Sequence, residues 1–184
     1  MDASTAIASS EALRRRGIRL AIRIVVWDVI EGAVAVTAGL SSGSMALVGF
    51  GIDSSIEVFA ASVVLWQLRG SARERQRPAM RAIAVTFLLL AAYVSVEAVR
   101  DLSAGSEAGA SAAGIVLNVV ALTVMVPVAV AQWHTGRLLD NRVLVAQAKE
   151  TWVSNALSVN VLVGLGFNAA FGWSWADPTV ALIV

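Results

Sequence analysis

Seven ionisable side chains lie within long apolar stretches of this sequence, where charges are rare. They are Asp28, Glu31, Asp53, Glu57, Glu97, Lys149 and Glu150. Because an ionised side chain at the centre of a membrane-spanning helix costs about 2.5–3.5 kcal/mol, each of these groups needs a partner or a function. Asp53 and Glu57 are spaced i, i+4, which places both carboxylates on one face of a helix. A divalent cation between them would relieve burial and mutual repulsion, whereas the alternative is a protonated pair hydrogen-bonded to neighbouring helices.

An internal similarity relates this pair to a second acidic position. Residues 47–57 align with residues 144–154, so that Asp53 matches Glu150 and Glu57 matches Ser154. We expect the first segment to run from outside to inside and the second to run the opposite way. Asp53 then lies about 12 Å from the outer end of its helix, and Glu150 about 10 Å from the inner end of its own. Oxygen ligands from two helices that meet near the midplane are what an alternating-access ion site requires.

The elements that must position these groups are membrane helices. A chain that is 58% hydrophobic and 15% charged is too apolar for an ordinary soluble domain. Stretches of about twenty apolar residues predict an all-α, multi-pass bundle, with a cytoplasmic segment over 1–17 and a transmembrane domain over 18–184. The predicted helices cover 18–39, 45–68, 82–102, 112–133 and 143–171, and a sixth over 178–184 is incomplete. Since the sixth is too short to cross a bilayer, we expect the chain to be truncated there.

Basic residues set the expected orientation. Twelve of the fourteen Lys and Arg residues fall in three clusters: residues 14–23, residues 69–81, and the pair Arg137 and Arg142. The other connections between apolar stretches carry no Lys or Arg. This alternation is the positive-inside pattern, so we expect a cell-membrane protein with a cytoplasmic N-terminus. Its expected surroundings are the lipid bilayer, with no nucleic-acid partner.

Several motifs resemble the transmembrane domain of the cation diffusion facilitator family. The motifs are Ser44-Met45-Ala46-Leu47 followed by Asp53-x-x-x-Glu57, Ala146-x-Ala148-x-Glu150-x-x-x-Ser154, Tyr93-x-x-x-Glu97-Ala98-x-Arg100, and Trp175-Ala176-Asp177-Pro178. The resemblance covers nearly the whole chain. It implies a six-helix transporter, not an enzyme, that exchanges Zn²⁺, Mn²⁺, Fe²⁺ or Co²⁺ for protons and has no prosthetic group. Carried over by motif, the metal site would consist of Asp53, Glu57, Glu150 and Ser154.

Two departures from the family pattern bear on the site and on assembly. The usual fifth-helix pair is His or Asp followed four residues later by Asp, whereas this chain has Glu150 and Ser154. A shift of one residue would offer Thr151 and Asn155 as alternative ligands. The family also commonly carries a cytoplasmic domain after the sixth helix. This sequence has none, so we expect any homodimer to form through membrane helices.

Ligand chemistry bears on which metal is bound, and the remaining charged and polar residues have expected positions. Oxygen ligands without His or Cys favour Mn²⁺ or Fe²⁺ relative to Zn²⁺, although carboxylates also bind Zn²⁺. We expect Asp28, Glu31 and Asn118 to face the interior as groups near the site or along the ion path, and Glu97 to pair with Arg100. Two other functions stay open: a proton-coupled exporter of small organic cations that uses one membrane carboxylate, and a non-transporting membrane scaffold.

Overall fold

The protein is a bundle of long α-helices. The computed structural model describes residues 3–42, 45–70, 72–104 and 112–171. These ranges form five helices and no strand: α1 (Ala3–Ser42), α2 (Met45–Arg69), α3 (Ala72–Ala104), α4 (Ala112–Leu138) and α5 (Arg142–Phe171). The predicted all-α class is therefore confirmed. The sixth helix predicted over 178–184 lies outside the described residues.

Two helices begin well before the apolar segments from which they were predicted. α1 begins at Ala3 rather than near residue 18, and α3 begins at Ala72 rather than near residue 82. Both extensions are rich in Ala and Arg, which are good helix formers, so each helix continues beyond its apolar segment. In α1, Glu11 also pairs with Arg14 and Arg15 at 2.8 and 3.1 Å, which are the i, i+3 and i, i+4 spacings that stabilise a helix. The segment 1–17 is therefore, from Ala3 on, a continuous part of α1.

Three of the described helices contain a segment long and apolar enough to cross a membrane. These segments are Leu47–Arg69 in α2, Arg73–Val96 in α3 and Ile115–Leu138 in α4. The helices α1, which carries Asp28 and Glu31, and α5, which carries Glu150, are not among them. The composition of the helices is thus compatible with a membrane location.

Apolar side chains cover the outside of the bundle as well as filling its core, and many polar side chains are buried beside that core. Large apolar side chains face outward, among them Leu88, Leu89 and Val96 on α3 and Val116 on α4. Among the described residues, sixteen polar or charged ones are buried: Asp28, Glu31, Ser54, Glu57, Gln67, Thr86, Asn118, Gln132, Thr135, Asn141, Gln147, Glu150, Thr151, Ser154, Asn155 and Ser158. An apolar exterior of this extent would be unstable in water but suits contact with lipid.

The packing order brings α2 and α5 together. α1 packs against α2 and α4, α3 packs against α2 and α5, and α4 packs against α5. The helices thus follow one another around the bundle as α1, α2, α3, α5 and α4, and α2 also contacts α5 directly. Small residues allow α1 and α2 to approach closely: a Cβ atom at Gly51 would lie 3.1 Å from the carbonyl oxygen of Gly32.

A tight turn joins α4 to α5 and sets the start of α5. Asp140 adopts a left-handed backbone conformation with φ of 48°. The Asn141 N–H donates to the Gly136 carbonyl at 2.9 Å, which closes the end of α4 in the manner of a Schellman motif. Asn141 then caps α5, because its Oδ1 accepts from the Leu144 N–H at 3.0 Å.

Candidate functional site

α2 carries the acidic pair that the sequence singled out. Glu57 is buried, and Asp53 is half-buried as a residue while its Oδ1 atom is inaccessible. Neither Asp53 Oδ1 nor Glu57 Oε1 has a hydrogen-bond partner among the described residues. The helical spacing therefore does turn both carboxyl groups inward, where polar groups are normally paired.

α5 presents Glu150 and Ser154 toward the same interior. Both residues are buried, and neither the Glu150 carboxyl oxygens nor Ser154 Oγ has a hydrogen-bond partner in the described part of the chain. Ser154 lies beside both Asp53 and Glu57, short of hydrogen-bond geometry. Glu150 is close enough to both acidic residues of α2 to interact electrostatically with each of them. The structure thus brings the four residues implied by the family resemblance into one region.

α1 adds two further carboxyl groups to that region. Asp28 is 1% exposed and lies beside Glu57, with Asp53 and Glu31 as further electrostatic neighbours. Glu31 is buried next to the indole N–H of Trp27 and also faces Asp53. We refer to Asp28, Glu31, Asp53, Glu57 and Glu150 as the interior carboxyl groups. Among the described residues, the salt bridges are those of Glu11 with Arg14 and Arg15, so none of the interior carboxyl groups has a cationic partner there.

The interior carboxyl groups are neighbours, but they do not form a closed metal site. Within the described ranges, no three His, Asp or Glu side chains converge closely enough to hold a metal ion. The structure therefore presents the donors without the coordination geometry.

The alternative ligands and the pathway groups are also buried. Thr151 and Asn155 share the inward side of α5 with Glu150 and Ser154, and Asn118 is buried on α4. Of the four residues on α5, Glu150 and Ser154 are the ones that interact with the acidic residues of α2. The side chain of Glu97 is outside the described part of the chain, and the expected pairing of Glu97 with Arg100 lies there with it.

Polar residues that the sequence did not single out surround Glu150. Thr86 of α3 is fully buried beside the Glu150 carboxyl group, while its own hydroxyl donates to the Ile83 carbonyl at 2.7 Å. One helical turn before Glu150, the amide of Gln147 accepts a hydrogen bond from Gln132 Nε2 of α4. A lone Thr or Gln in an apolar helix is common, so composition and spacing contained no signal for these positions.

Comparison with known proteins adds no family or fold assignment. No protein-family model matches the chain, and no solved structure matches it. The residues themselves therefore carry the functional argument.

Proposed function

We propose that the protein is a transporter that exchanges a divalent metal cation for protons across the cell membrane. The observation that supports this most directly is the set of interior carboxyl groups, which lie on α1, α2 and α5 without a cationic partner in the described part of the chain. Burying ionised carboxylates without such a partner costs several kcal/mol each. A bound cation or bound protons would remove that cost.

Competition between the two kinds of cation supplies the coupling. A carboxylate must release its proton before it binds a metal, so metal entry expels protons and proton entry expels the metal. The same interior groups would then carry both substrates in turn. A proton gradient across the membrane would drive metal movement in the opposite direction.

The donor atoms bear on which metal is transported. Carboxyl and hydroxyl oxygens surround the region, and the single His134 is exposed on α4, away from the buried face. Oxygen donors favour Mn²⁺ and Fe²⁺ more than a nitrogen- or sulfur-containing site would, and they also accept Zn²⁺. We therefore place Mn²⁺ and Fe²⁺ ahead of Zn²⁺ as substrates.

Helix arrangement supports an alternating-access mechanism. Asp53 and Glu57 lie on α2, Glu150 and Ser154 lie on α5, and these two helices contact each other. A small movement of α5 against α2 would close the donors around the ion or separate them. From the basic clusters and the positive-inside rule we expect a cytoplasmic N-terminus, and we expect any homodimer to form through membrane helices.

A flux assay in liposomes tests the proposal. The protein is reconstituted with a metal-sensitive dye and a pH-sensitive dye inside, and Mn²⁺, Fe²⁺ or Zn²⁺ is added outside. We expect metal uptake to be accompanied by proton release, and an imposed pH gradient to change the rate of uptake. Stabilisation of the detergent-solubilised protein should accompany binding, by about 2.7 kcal/mol when the metal is at a hundred times its Kd.

Two controls make the result specific. Glu74→Gln removes an exposed carboxyl group near the start of α3 and should leave uptake unchanged. Metal uptake without proton movement would contradict the exchange mechanism. Uptake of small organic cations, with no response to any of the three metals, would favour an organic-cation exporter.

A further inference from the structure

A cavity of about 470 Å³ lies at the α4–α5 turn, and none of the interior carboxyl groups lines it. Three basic side chains line it: Arg137 at the end of α4 and Arg142 and Lys149 on α5. One carboxylate, that of Asp140 in the turn, lines it as well. The cavity therefore carries a formal excess of positive charge.

The basic side chains of the cavity are not neutralised within the described part of the chain. Arg142 and Lys149 are exposed and form no ion pair there, and Arg137 stacks over the ring of Trp133 at 5.5 Å from the ring centroid. Arg142 and Lys149 are spaced i, i+7, so they share one face of α5 and are about 10 Å apart along its axis. This spacing leaves room for an anionic group between the two cations.

The position of the cavity fits the edge of a bilayer. The apolar segment of α4 ends at Leu138, directly before the turn, and Trp133 is exposed about one and a half helical turns earlier. Exposed Trp residues at the end of an apolar segment mark the headgroup level of a membrane. Met80, Val145 and Ala146 supply an apolar wall to the same cavity. An occupant should therefore be amphiphilic, with an anionic head and a hydrocarbon part.

We propose that this cavity binds the headgroup phosphate of an anionic phospholipid. Arg142 and Lys149 contact the phosphate, while the apolar wall contacts the start of the acyl chains. The Asp140 carboxylate accepts hydrogen bonds from headgroup hydroxyl groups, which favours a glycerol headgroup. Basic pockets between helices at the cytoplasmic face are known to accept such headgroups. The site does not depend on metal transport, and it can be tested in protein without metal.

Lipid titration of the detergent-solubilised protein tests the site. Dioctanoyl-phosphatidylglycerol is added in a neutral detergent, and thermal unfolding is followed by circular dichroism. We expect the anionic lipid to raise the Tm of the wild type in a saturable manner, while dioctanoyl-phosphatidylcholine and inorganic phosphate do not. The double variant Arg142→Gln/Lys149→Gln should bind the anionic lipid about 30-fold more weakly, given about 1 kcal/mol for each basic side chain.

Two further variants separate this site from a general effect of charge. Arg16→Gln/Arg19→Gln removes the same charge from exposed positions on α1 and should keep wild-type affinity. Ala146→Leu narrows the cavity without a change of charge and should weaken binding as well. Wild-type affinity in Arg142→Gln/Lys149→Gln would overturn the proposal. Equal stabilisation of the wild type by inorganic phosphate would overturn the assignment to a lipid.

Discussion

Asn141 in the α4–α5 turn is joined to Gln67 near the end of α2 by a hydrogen bond of 3.0 Å from Nδ2 to Oε1. Both side chains are buried, and Asn141 also caps α5 through its Oδ1 atom. One residue therefore fixes the start of α5 relative to the end of α2. These are the two helices that carry the acidic pair and Glu150, so this contact sets the distance across the candidate site from one end of the bundle.

Two variants of Asn141 should separate the contribution of the α5 cap from that of the hydrogen bond to Gln67. Asn141→Ala removes the cap and the interhelical hydrogen bond, and we expect a loss of about 2 kcal/mol in the free energy of unfolding. Asn141→Ser retains a capping oxygen but has no Nδ2 donor, so it should lose about 1 kcal/mol. Unfolding of the detergent-solubilised protein in guanidinium chloride gives both values. Equal losses in the two variants would show that the cap contributes nothing.

Gln132 and Gln147 form a buried amide pair that should behave as a unit. The Gln132 Nε2 atom donates to Gln147 Oε1, while Gln132 Oε1 and Gln147 Nε2 have no partner among the described residues. Replacing either Gln by Leu leaves the other amide buried without this hydrogen bond. Each single variant should therefore lose about 1 kcal/mol or more in the free energy of unfolding. The double change removes both polar groups, so its cost should be clearly smaller than the sum of the two. Additive losses in a double-mutant cycle would mean that the pair contributes no coupling.

Glu11 should titrate at an unusually low pH. Hydrogen bonds from the Arg14 guanidinium, at 2.8 and 2.9 Å, and then from Arg15, lower the pKa of Glu11 from its ordinary 4.5 to about 2. Because the folded-state pKa is depressed, the stabilising contribution of this pair is complete above about pH 4.5 and is lost as the pH falls toward 2. Carbon-13 NMR of glutamate-labelled protein should give this midpoint.

Variants of nearby Arg residues test which of them lowers the pKa of Glu11. Arg14→Gln should move the midpoint upward, because Arg14 is the largest cause of the shift. It also removes the hydrogen bond of 2.8 Å from Arg14 to the Leu68 carbonyl, so α1 should be held less firmly at the end of α2. Arg16→Gln changes an exposed residue and should leave the Glu11 midpoint where it is. A wild-type midpoint near 4.5 would show that the Arg14 pair does not form in solution.

Local sequence signals predicted the helices that start at a clear boundary. The predicted starts at residues 45 and 112 are those of α2 and α4, and α5 begins at Arg142, one residue before its predicted start. The early starts of α1 and α3 were missed because apolar content marks where a helix can lie in lipid, not where its hydrogen bonding begins. Segments rich in Ala and Arg extend these helices beyond that limit.

It was harder to predict which residues belong to the candidate site than to predict which types of residue it contains. Spacing alone predicted that Asp53 and Glu57 share a face, because i, i+4 geometry is local. The contact of Asp28 with Glu57 depends on which face of α1 packs on α2, and the close approach of Gly32 to Gly51 sets that face. Thr86 joins the region only through the packing of α3 on α5. Such contacts between helices leave no periodic signal in the sequence.

The last prediction ranks the proposed ligands by what each supplies. Asp53 is a carboxylate that can exchange a proton for a metal, whereas Ser154 is a neutral hydroxyl beside Asp53 and Glu57. Under the proposed mechanism a carboxylate provides both charge and proton exchange, and the hydroxyl provides only a weak donor atom. Removing the carboxylate should therefore cost more than removing the hydroxyl.

We expect Asp53→Asn to abolish proton-linked metal uptake in liposomes, and Ser154→Ala to reduce it by roughly tenfold, the lower end of the range for groups that support a metal site. Both changes are nearly isosteric, so folded yield and circular dichroism should match the wild type. If Asn155 rather than Ser154 provides the fourth ligand, Asn155→Ala should reduce uptake more than Ser154→Ala does. Wild-type uptake by Asp53→Asn would refute the mechanism, because position 53 would then have no carboxyl group from which a metal could displace a proton. Equal loss in Asp53→Asn and Ser154→Ala would leave the exchange intact but contradict the ranking, since a hydroxyl would then contribute as much as a charge.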